Sequence, residues 1–194
     1  KRQLIDGVNV KEYNLESLYN KLGYVSQKTV MFSGTVSSNV AYGENGLGEY
    51  SEETVKRAVS IAQASDFVEG MENQYEAAVA QGGANLSGGQ KQRLSIARAV
   101  CRKPEIYIFD DSFSALDYKT DRVLRSVLKK ETADTTSIIV AQRIGTIKDA
   151  DMIIVLDEGK IAGRGTHEEL MKTCDIYRQI ALSQLSKEEL ENEQ

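Results

Sequence analysis

The second half of the chain alternates short apolar runs with a helical stretch. Three runs share β-branched residues and a length typical of strands buried on both faces: EIYIF (105–109), TSIIVA (136–141) and MIIVLD (152–157). Between the first two, the segment 117–131 places Val123, Leu124, Val127 and Leu128 on one helical stripe. A strand, a helix and a further strand in this order predict a parallel α/β sheet.

The region 28–100 lacks strong strand patterns and is predicted to be a mostly helical insertion. Its clearest helix is SEETVKRAVSIAQAS, which starts at the capping residue Ser51 and has acidic residues in its first turn. Four residues are predicted to form the buried face of this helix: Val55, Ala58, Val59 and Ala62.

The chain closes with a predicted hairpin and a capped helix. Gly159 marks a turn between the strand that ends at Asp157 and a following strand. Thr166 and Glu169 form a capping-box pattern, and His167, the only histidine, is best explained as a polar residue in the first turn of that helix. The end of the chain, LSKEELENEQ (185–194), is acidic and polar, which predicts a fraying helix or a tail.

Length, charge and cysteine content narrow the class of protein. The 194 residues are 41% hydrophobic, enough for one substantial domain with an inserted subdomain. A net charge of −5 gives no general electrostatic case for a nucleic-acid partner. Cys101 and Cys174 are too few for a disulfide framework and are expected to be reduced thiols. No apolar run has the length of a membrane span and no signal peptide is evident, so the chain is expected to be soluble.

The segment LSGGQ (86–90) has the pattern of a phosphate-binding helix start. Ser87 can cap a helix whose third residue is Gln90, while Gly88 and Gly89 leave the first backbone N–H groups open to an anion. Taken alone, an ordinary helix cap after a turn is the commoner meaning of this string.

Two adjacent carboxylates, Asp110 and Asp111, follow the predicted strand 105–109. Ligands of α/β proteins bind at the carboxyl ends of parallel strands, and a carboxylate placed there can hold Mg²⁺. The alternative for an isolated pair of this kind is a solvated turn.

The order LSGGQ, IYIFDD (106–111) and SALD (114–117) resembles the nucleotide-binding domain of ATP-binding cassette (ABC) transporters. The stretch 22–43 is similar to the glutamine loop of the exporter branch and the segment after it, and GKIAGRGTHEEL matches the closing hairpin and helix. The resemblance spans nearly the whole chain. It implies a P-loop NTPase fold of the α/β class, a partial RecA-like parallel sheet with an inserted helical subdomain.

The resemblance also implies a division of the chain into four parts. Residues 1–27 would belong to the RecA-like core and end at the glutamine loop, and 28–100 would form the helical subdomain with the signature motif. Residues 101–180 would complete the core with the Walker B strand and the switch loop, followed by the tail 181–194.

The family's site roles carry over onto matching positions, with ATP and Mg²⁺ as the implied cofactors. Asp110 would help hold Mg²⁺, and Gln27 would sense Mg²⁺ and the γ-phosphate while relaying to the membrane domains. Asp117 would belong to the loop that joins the two halves of a dimer. The signature residues would contact ATP held by a second nucleotide-binding domain: Ser87, Gly88, Gly89 and Gln90. The implied partners are that second domain and the transmembrane domains of an exporter, at the cytoplasmic face of a membrane.

Two catalytic positions depart from the family's pattern. Asp111 stands where a glutamate normally polarises the attacking water, and its side chain is one methylene shorter. Gln142, in VAQRIGT, replaces a histidine, and an amide cannot exchange a proton near neutral pH. Gln81 stands where exporters commonly have a glutamate that faces the coupling region. The loss of charge at Gln81 puts that coupling contact in doubt. The changes at Asp111 and Gln142, beside an intact LSGGQ motif, predict the degenerate half of a heterodimeric exporter, with a homodimer as the alternative.

The string G-x-x-x-x-G-K-[ST], whose backbone and lysine cradle phosphates, does not occur in residues 1–194. We therefore expect that the chain begins after that loop. The chain alone should bind ATP poorly and show no appreciable hydrolysis. Its sheet should leave apolar surface and strand edges uncovered.

Two rival functions are a cassette ATPase acting on DNA or ribosomes, and a non-enzymatic dimerisation module. The segment MFSGTVSSNVAYG and the acidic charge argue against the first rival.

Overall fold

The structure, a computed structural model, describes residues 3–43, 45–46 and 48–192, with side chains described up to residue 184. Residues 193 and 194 of the predicted tail lie outside the described residues. The strands are β1 (Leu4–Ile5), β2 (Val8–Asn9), β3 (Leu22–Val25), β4 (Gly34–Thr35), β5 (Ala78–Val79), β6 (Ile106–Asp110), β7 (Thr136–Val140), β8 (Ile153–Asp157) and β9 (Lys160–Gly165). The α-helices are α1 (Leu15–Lys21), α2 (Val36–Val40), α3 (Glu52–Ile61), α4 (Ser65–Glu69), α5 (Gly88–Cys101), α6 (Tyr118–Glu131), α7 (Ile144–Ile147), α8 (His167–Thr173) and α9 (Asp175–Asn192).

The chain forms two compact units, Lys1–Val140 and Ala141–Gln194. In the first unit, β3, β6 and β7 form a parallel sheet with β6 in the centre, as the strand and helix pattern predicts. Short antiparallel pairs, β1 with β2 and β4 with β5, lie outside this sheet. The parallel sheet matters for function because it sets which residues meet at the carboxyl ends of its strands.

One face of the parallel sheet is buried and the other is largely exposed. Val25, Tyr107 and Phe109 point into the core of the first unit. On the opposite face, Tyr24 is 57% exposed and Ile138 is 49% exposed. The prediction that these strands are buried on both faces is therefore wrong for this sheet, and the expected uncovered apolar surface is present. Whether this surface drives self-association stays a prediction.

Helices α3 and α5 each contribute several residues to the core of the first unit. The four residues predicted as the buried face of α3 are all buried: Val55, Ala58, Val59 and Ala62. In α6, Leu124 and Leu128 are buried, but Val123 is 42% exposed. The prediction that Val123 shares the apolar face of α6 is therefore wrong, because Val123 lies outside the face that packs against the core.

The second unit is a hairpin packed with helices. Strands β8 and β9 pair antiparallel, and Gly159 adopts φ +75° in the turn between them, a conformation that favours glycine. Thr166 and Glu169 form the predicted capping box at the start of α8. The buried residues of this unit include Ile153, Leu170 and Tyr177. Helix α9 continues to Asn192, and among the described residues no helix is long and apolar enough to cross a membrane.

Candidate functional site

The side chains of Gln27 and Asp111 meet at the carboxyl end of the parallel sheet. Gln27 follows β3 and Asp111 follows β6, and the register that aligns Val25 with Phe109 brings the two chain segments to the same edge. The amide Nε2 of Gln27 donates a hydrogen bond to Oδ2 of Asp111 at 3.2 Å. The structure therefore joins two predicted site residues that are far apart in the sequence.

Asp110 is held by a residue that the sequence did not reveal. The hydroxyl of Tyr24 donates a hydrogen bond to Oδ2 of Asp110 at 3.0 Å. This hydrogen bond is the main reason why the pKa of Tyr24 is raised above its ordinary value, because the protonated phenol is the form that donates. Strand periodicity could have suggested the contact, since Tyr24 lies opposite Ile108 and so on the same face of the sheet as Asp110.

The backbone around Asp111 is a constrained turn. Asp111 has φ +46°, in the left-handed region that non-glycine residues seldom adopt, although aspartate tolerates it better than most. Its N–H donates to the carbonyl of Val140 at 2.9 Å, and its own carbonyl accepts from the hydroxyl of Ser114 at 3.0 Å. The fully buried Ser112 donates to the carbonyl of Val25 at 2.8 Å. These hydrogen bonds fix the backbone from which the Asp111 carboxylate projects.

The signature residues form a capped and open helix start. Ser87 is the N-cap of α5: its hydroxyl accepts from the N–H of Gln90, and the Gln90 side chain accepts from the N–H of Ser87 at 2.9 Å. A methyl group on Gly88 would meet no atom within 4 Å. The N–H groups at this end of the helix are thus accessible, and the helix dipole favours an anion there.

Gly89 lies against the segment that leads to Asp117. A methyl group on Gly89 would lie 3.5 Å from the carbonyl oxygen of Ala115 and 3.8 Å from Cδ2 of Leu116. Asp117 itself is the N-cap of α6 and accepts from the N–H of Thr120 at 2.9 Å. Hydrogen bonding to Thr120 holds the pKa of Asp117 below its ordinary value. The predicted dimer-loop aspartate therefore also has a capping role in its own chain.

Gln142 lies in the second compact unit, just after β7, and the structure does not relate its position to that of Asp111. Its carbonyl oxygen accepts a hydrogen bond from Nε2 of Gln184 at 2.8 Å, and Oε1 of Gln184 accepts from the N–H of Ile144 at 2.7 Å. Gln184 thus fixes the backbone around Gln142, while the Gln142 side chain is exposed.

The donor set at the sheet edge suits a magnesium ion that arrives with phosphates. In the part of the chain that the structure describes, no group of three or more His, Cys, Asp or Glu could hold a metal by itself. Asp110 and Asp111 supply carboxylate oxygens and Gln27 an amide. Mg²⁺ is commonly bound by one or two carboxylates together with substrate phosphates and water, so these residues fit it in that form.

The parallel sheet with acidic residues at its carboxyl edge and the capped glycine helix, together with the structural match to an ABC exporter, place the protein in the class of P-loop NTPase folds. The family model described as ABC transporter matches residues 2–114. The chain belongs to the ABC transporter family.

Curated relatives and a solved structure support this assignment over nearly the whole chain. An uncharacterized ABC transporter ATP-binding protein of Mycobacterium bovis is 46% identical over 93% of this chain and 31% of its own length. An ATP-dependent lipid A-core flippase of Mannheimia succiniciproducens is 40% identical over 91% of this chain and 30% of its own length. A bacterial Atm1-family ABC exporter with ATP bound matches with a TM-score of 0.89 at 36% identity, covering 95% of this chain and 32% of the exporter chain. The chain therefore spans about a third of these relatives.

Proposed function

We propose that this chain is the ATP-binding portion of an ABC exporter that powers transport across a membrane. The observation that carries the proposal is the contact between Gln27 and Asp111 at the carboxyl edge of the sheet, directly beside Asp110. A glutamine and two carboxylates at this edge match what binding of a magnesium nucleotide requires. The proteins named above are an ABC transporter ATP-binding protein, an ATP-dependent lipid A-core flippase and an ABC exporter with ATP bound, which favours an ATP-binding role in transport here.

Each residue has a distinct part in this proposal. Asp110 would hold Mg²⁺ bound to the phosphates of ATP, and Gln27 would contact the same ion and relay its presence to the transmembrane domains. When bound, Mg²⁺ would neutralise phosphate charge. Asp111 would accept a proton from the water that attacks the γ-phosphate. Gln142 would hydrogen-bond a phosphate oxygen without exchanging a proton.

Ser87, Gly88, Gly89 and Gln90 would serve a different ATP molecule, one held by a second nucleotide-binding domain. The open N-terminus of α5 supports this role, because its N–H groups can reach a phosphate without steric hindrance. Asp117 would lie at the junction of the two domains. The arrangement would operate at the cytoplasmic face, where the transmembrane domains of the exporter would contact the segment that follows Gln27.

The proposed site of this chain is a slow one, and the proposed dimer is a heterodimer. A misplacement of roughly 1 Å can lower a catalytic rate about a hundredfold, so an aspartate in place of glutamate makes Asp111 a poor base. The left-handed turn at Asp111 is held by backbone hydrogen bonds and does not readily move the shorter side chain forward. The intact signature would still complete a competent site on the partner.

Co-expression with a nucleotide-binding domain that carries the catalytic glutamate and histidine tests this proposal. Mixed dimers should hydrolyse ATP at one site, so that mutating the partner's glutamate abolishes turnover while Asp111→Asn changes it little. Equal hydrolysis at both sites would contradict the heterodimer assignment, and absence of ATP-dependent association would contradict the ATP-binding role.

A second candidate function is a non-enzymatic module that only completes a partner's ATP site. The open, fully capped start of α5 favours it, because Ser87 and Gln90 build that surface entirely within this chain. In that case the signature variant Gly88→Ala would impair partner ATPase activity, whereas Asp110→Asn and Gln27→Ala would leave both association and turnover unchanged.

A further inference from the structure

Arg98, three turns into α5, contacts the segment that follows Gln27. Its Nε donates to the carbonyl oxygen of Asn39 at 2.7 Å, and its Nη1 donates to the carbonyl oxygen of Val30 at 2.9 Å. Its Nη2 donates to Oδ1 of Asn39 at 3.1 Å. One guanidinium therefore binds two points of this segment, nine residues apart.

Asn39 extends the contact into a closed hydrogen-bond network. It is 1% exposed, its Oδ1 accepts from the N–H of Phe32 at 2.9 Å, and its Nδ2 donates to the carbonyl of Phe32 at 2.8 Å. The same Nδ2 donates to the carbonyl of Thr35 at 3.0 Å. Because buried polar groups are costly unless paired, this network defines one conformation of residues 30–39.

The guanidinium of Arg98 also lies over two aromatic rings of this segment. Phe32 and Tyr42 are stacked with ring centroids 4.2 Å apart, and Cζ of Arg98 is 5.3 Å and 5.6 Å from the two centroids. The rings are 38% and 51% exposed. A cation behind a stacked pair holds the rings against α5 while leaving part of each at the surface.

The charge of Arg98 is therefore stabilised by neutral groups. Among the described residues, no carboxylate forms an ion pair with it, and the hydrogen-bond acceptors named above are backbone carbonyls and an amide oxygen. Burial lowers the pKa of Arg98 below its ordinary value. Only a planar guanidinium can donate in several fixed directions at once, so lysine cannot reproduce the arrangement.

We infer that Arg98 is a positioning residue, which fixes the segment 30–42, a few residues after Gln27, to the helix that begins at the signature motif, so that this segment and the signature move together. The inference rests on the proposed function, which assigns a magnesium contact to Gln27, just before this segment, and a phosphate contact to the signature. It goes beyond that function in naming the residue that joins the two.

Hydrogen–deuterium exchange of the purified chain tests the first half of the inference. In Arg98→Lys, amide exchange in residues 30–42 should rise by about tenfold or more, because hydrogen bonds from a charged donor are lost, while exchange in β6 should change much less. The matched control is Arg93→Lys on the same helix, because the Nη1 of Arg93 donates to the carbonyl oxygen of Gln63 at 2.7 Å instead. That control should leave residues 30–42 unchanged.

An unchanged rate in residues 30–42 of Arg98→Lys, or an equal rise in every segment, would overturn the inference. A measurement on the wild-type chain covers the case in which the variant does not fold. With ¹⁵N-labelled arginine, the Nε–H of Arg98 should exchange slowly and show a contact to Asn39. Rapid exchange of that proton would be equally decisive against the inference.

Repeating the hydrogen–deuterium exchange measurement with nucleotide distinguishes a failure of this inference from a failure of the proposed function. With a partner domain and magnesium ATP, wild type should gain protection at residues 86–90 and at 30–42, whereas Arg98→Lys should gain it only at 86–90. A purely structural role would raise basal exchange and still transmit the protection, which would contradict the inference. If wild type gains no protection at residues 86–90, the proposed function fails. The exchange rates of residues 30–42 in wild type and Arg98→Lys without nucleotide still test whether Arg98 fixes that segment.

Discussion

The side-chain amide of Gln27 donates a hydrogen bond to Oδ2 of Asp111 at 3.2 Å, although 84 positions separate the two residues in the sequence. The contact arises because β3 and β6 are parallel neighbours that end at the same edge of the sheet. In the proposed function Gln27 would contact Mg²⁺, and Asp111 would accept a proton from the water that attacks the γ-phosphate. The arrival of a nucleotide would then exchange this contact for contacts to the ion and the attacking water.

Gly88→Ala should separate folding from function. The new methyl group meets no atom within 4 Å, and alanine reduces the entropy of the unfolded chain, so the free energy of unfolding should stay the same or rise by about 0.4–1 kcal/mol. The methyl group would obstruct a phosphate at the helix start, weakening ATP-dependent association with a partner domain by about tenfold, or about 1.4 kcal/mol. Urea unfolding and a sedimentation assay measure the two effects, and unimpaired association would argue against the phosphate role.

Asp117 should give α6 a pH-dependent cap. Its pKa is lowered in the folded chain, so its stabilisation is complete above the ordinary value of 3.8, shrinks as the pH falls past that value, and is lost below the lowered pKa. Asp117→Asn retains a capping side chain and should remove this dependence. Asp117→Ala should cost about 1 kcal/mol at neutral pH. Thermal unfolding at a series of acidic and neutral pH values checks both, and identical pH profiles for wild type and Asp117→Asn would refute the assignment.

Cys101 should be chemically inert in the native chain. Burial raises the pKa of its thiol to about 11, and only the thiolate is nucleophilic. In Cys174→Ser, which leaves Cys101 as the single thiol, labelling with a disulfide reagent near pH 8 should proceed only as fast as the protein opens. Labelling of native protein at the rate of an unfolded control would show that Cys101 is accessible.

Neighbouring residues on α6 should differ sharply in their effect on stability. Leu124 is fully buried, so Leu124→Ala should cost about 2–5 kcal/mol of unfolding free energy. Val123 is 42% exposed, and Val123→Ala should change stability by no more than about 0.5 kcal/mol. Urea denaturation of the two variants makes the comparison, and similar losses for both would restore the wider stripe that the sequence predicts.

Local patterns predicted the parts of the molecule that depend on neighbours in the sequence. The cap at Ser87 and the buried face of α3 are examples, because helix periodicity and capping act over a few residues. The hydrogen bond from Tyr24 to Asp110 was missed, since it depends on which strands pair. The exposed face at Ile138 was missed because apolar composition cannot show whether another element covers a strand.

The role inferred for Arg98 was also beyond the sequence. Two of its acceptors are the backbone carbonyls of Val30 and Asn39, and the third, Oδ1 of Asn39, comes within reach only because α2 packs against α5, so residue type gives no sign of the contact. The relation between Gln142 and Asp111 rests on the family resemblance alone, since the two lie in separate units.

The most direct test of the account measures ATP binding and hydrolysis by this chain alone and by the chain preceded by a strand, phosphate loop and helix from a relative. We expect no appreciable turnover by the chain alone. The extended form should bind ATP and turn it over very slowly, and the double variant Asp111→Glu, Gln142→His should raise the rate about a hundredfold. Brisk hydrolysis by the extended form as a homodimer, without these substitutions, would contradict the assignment of a degenerate site.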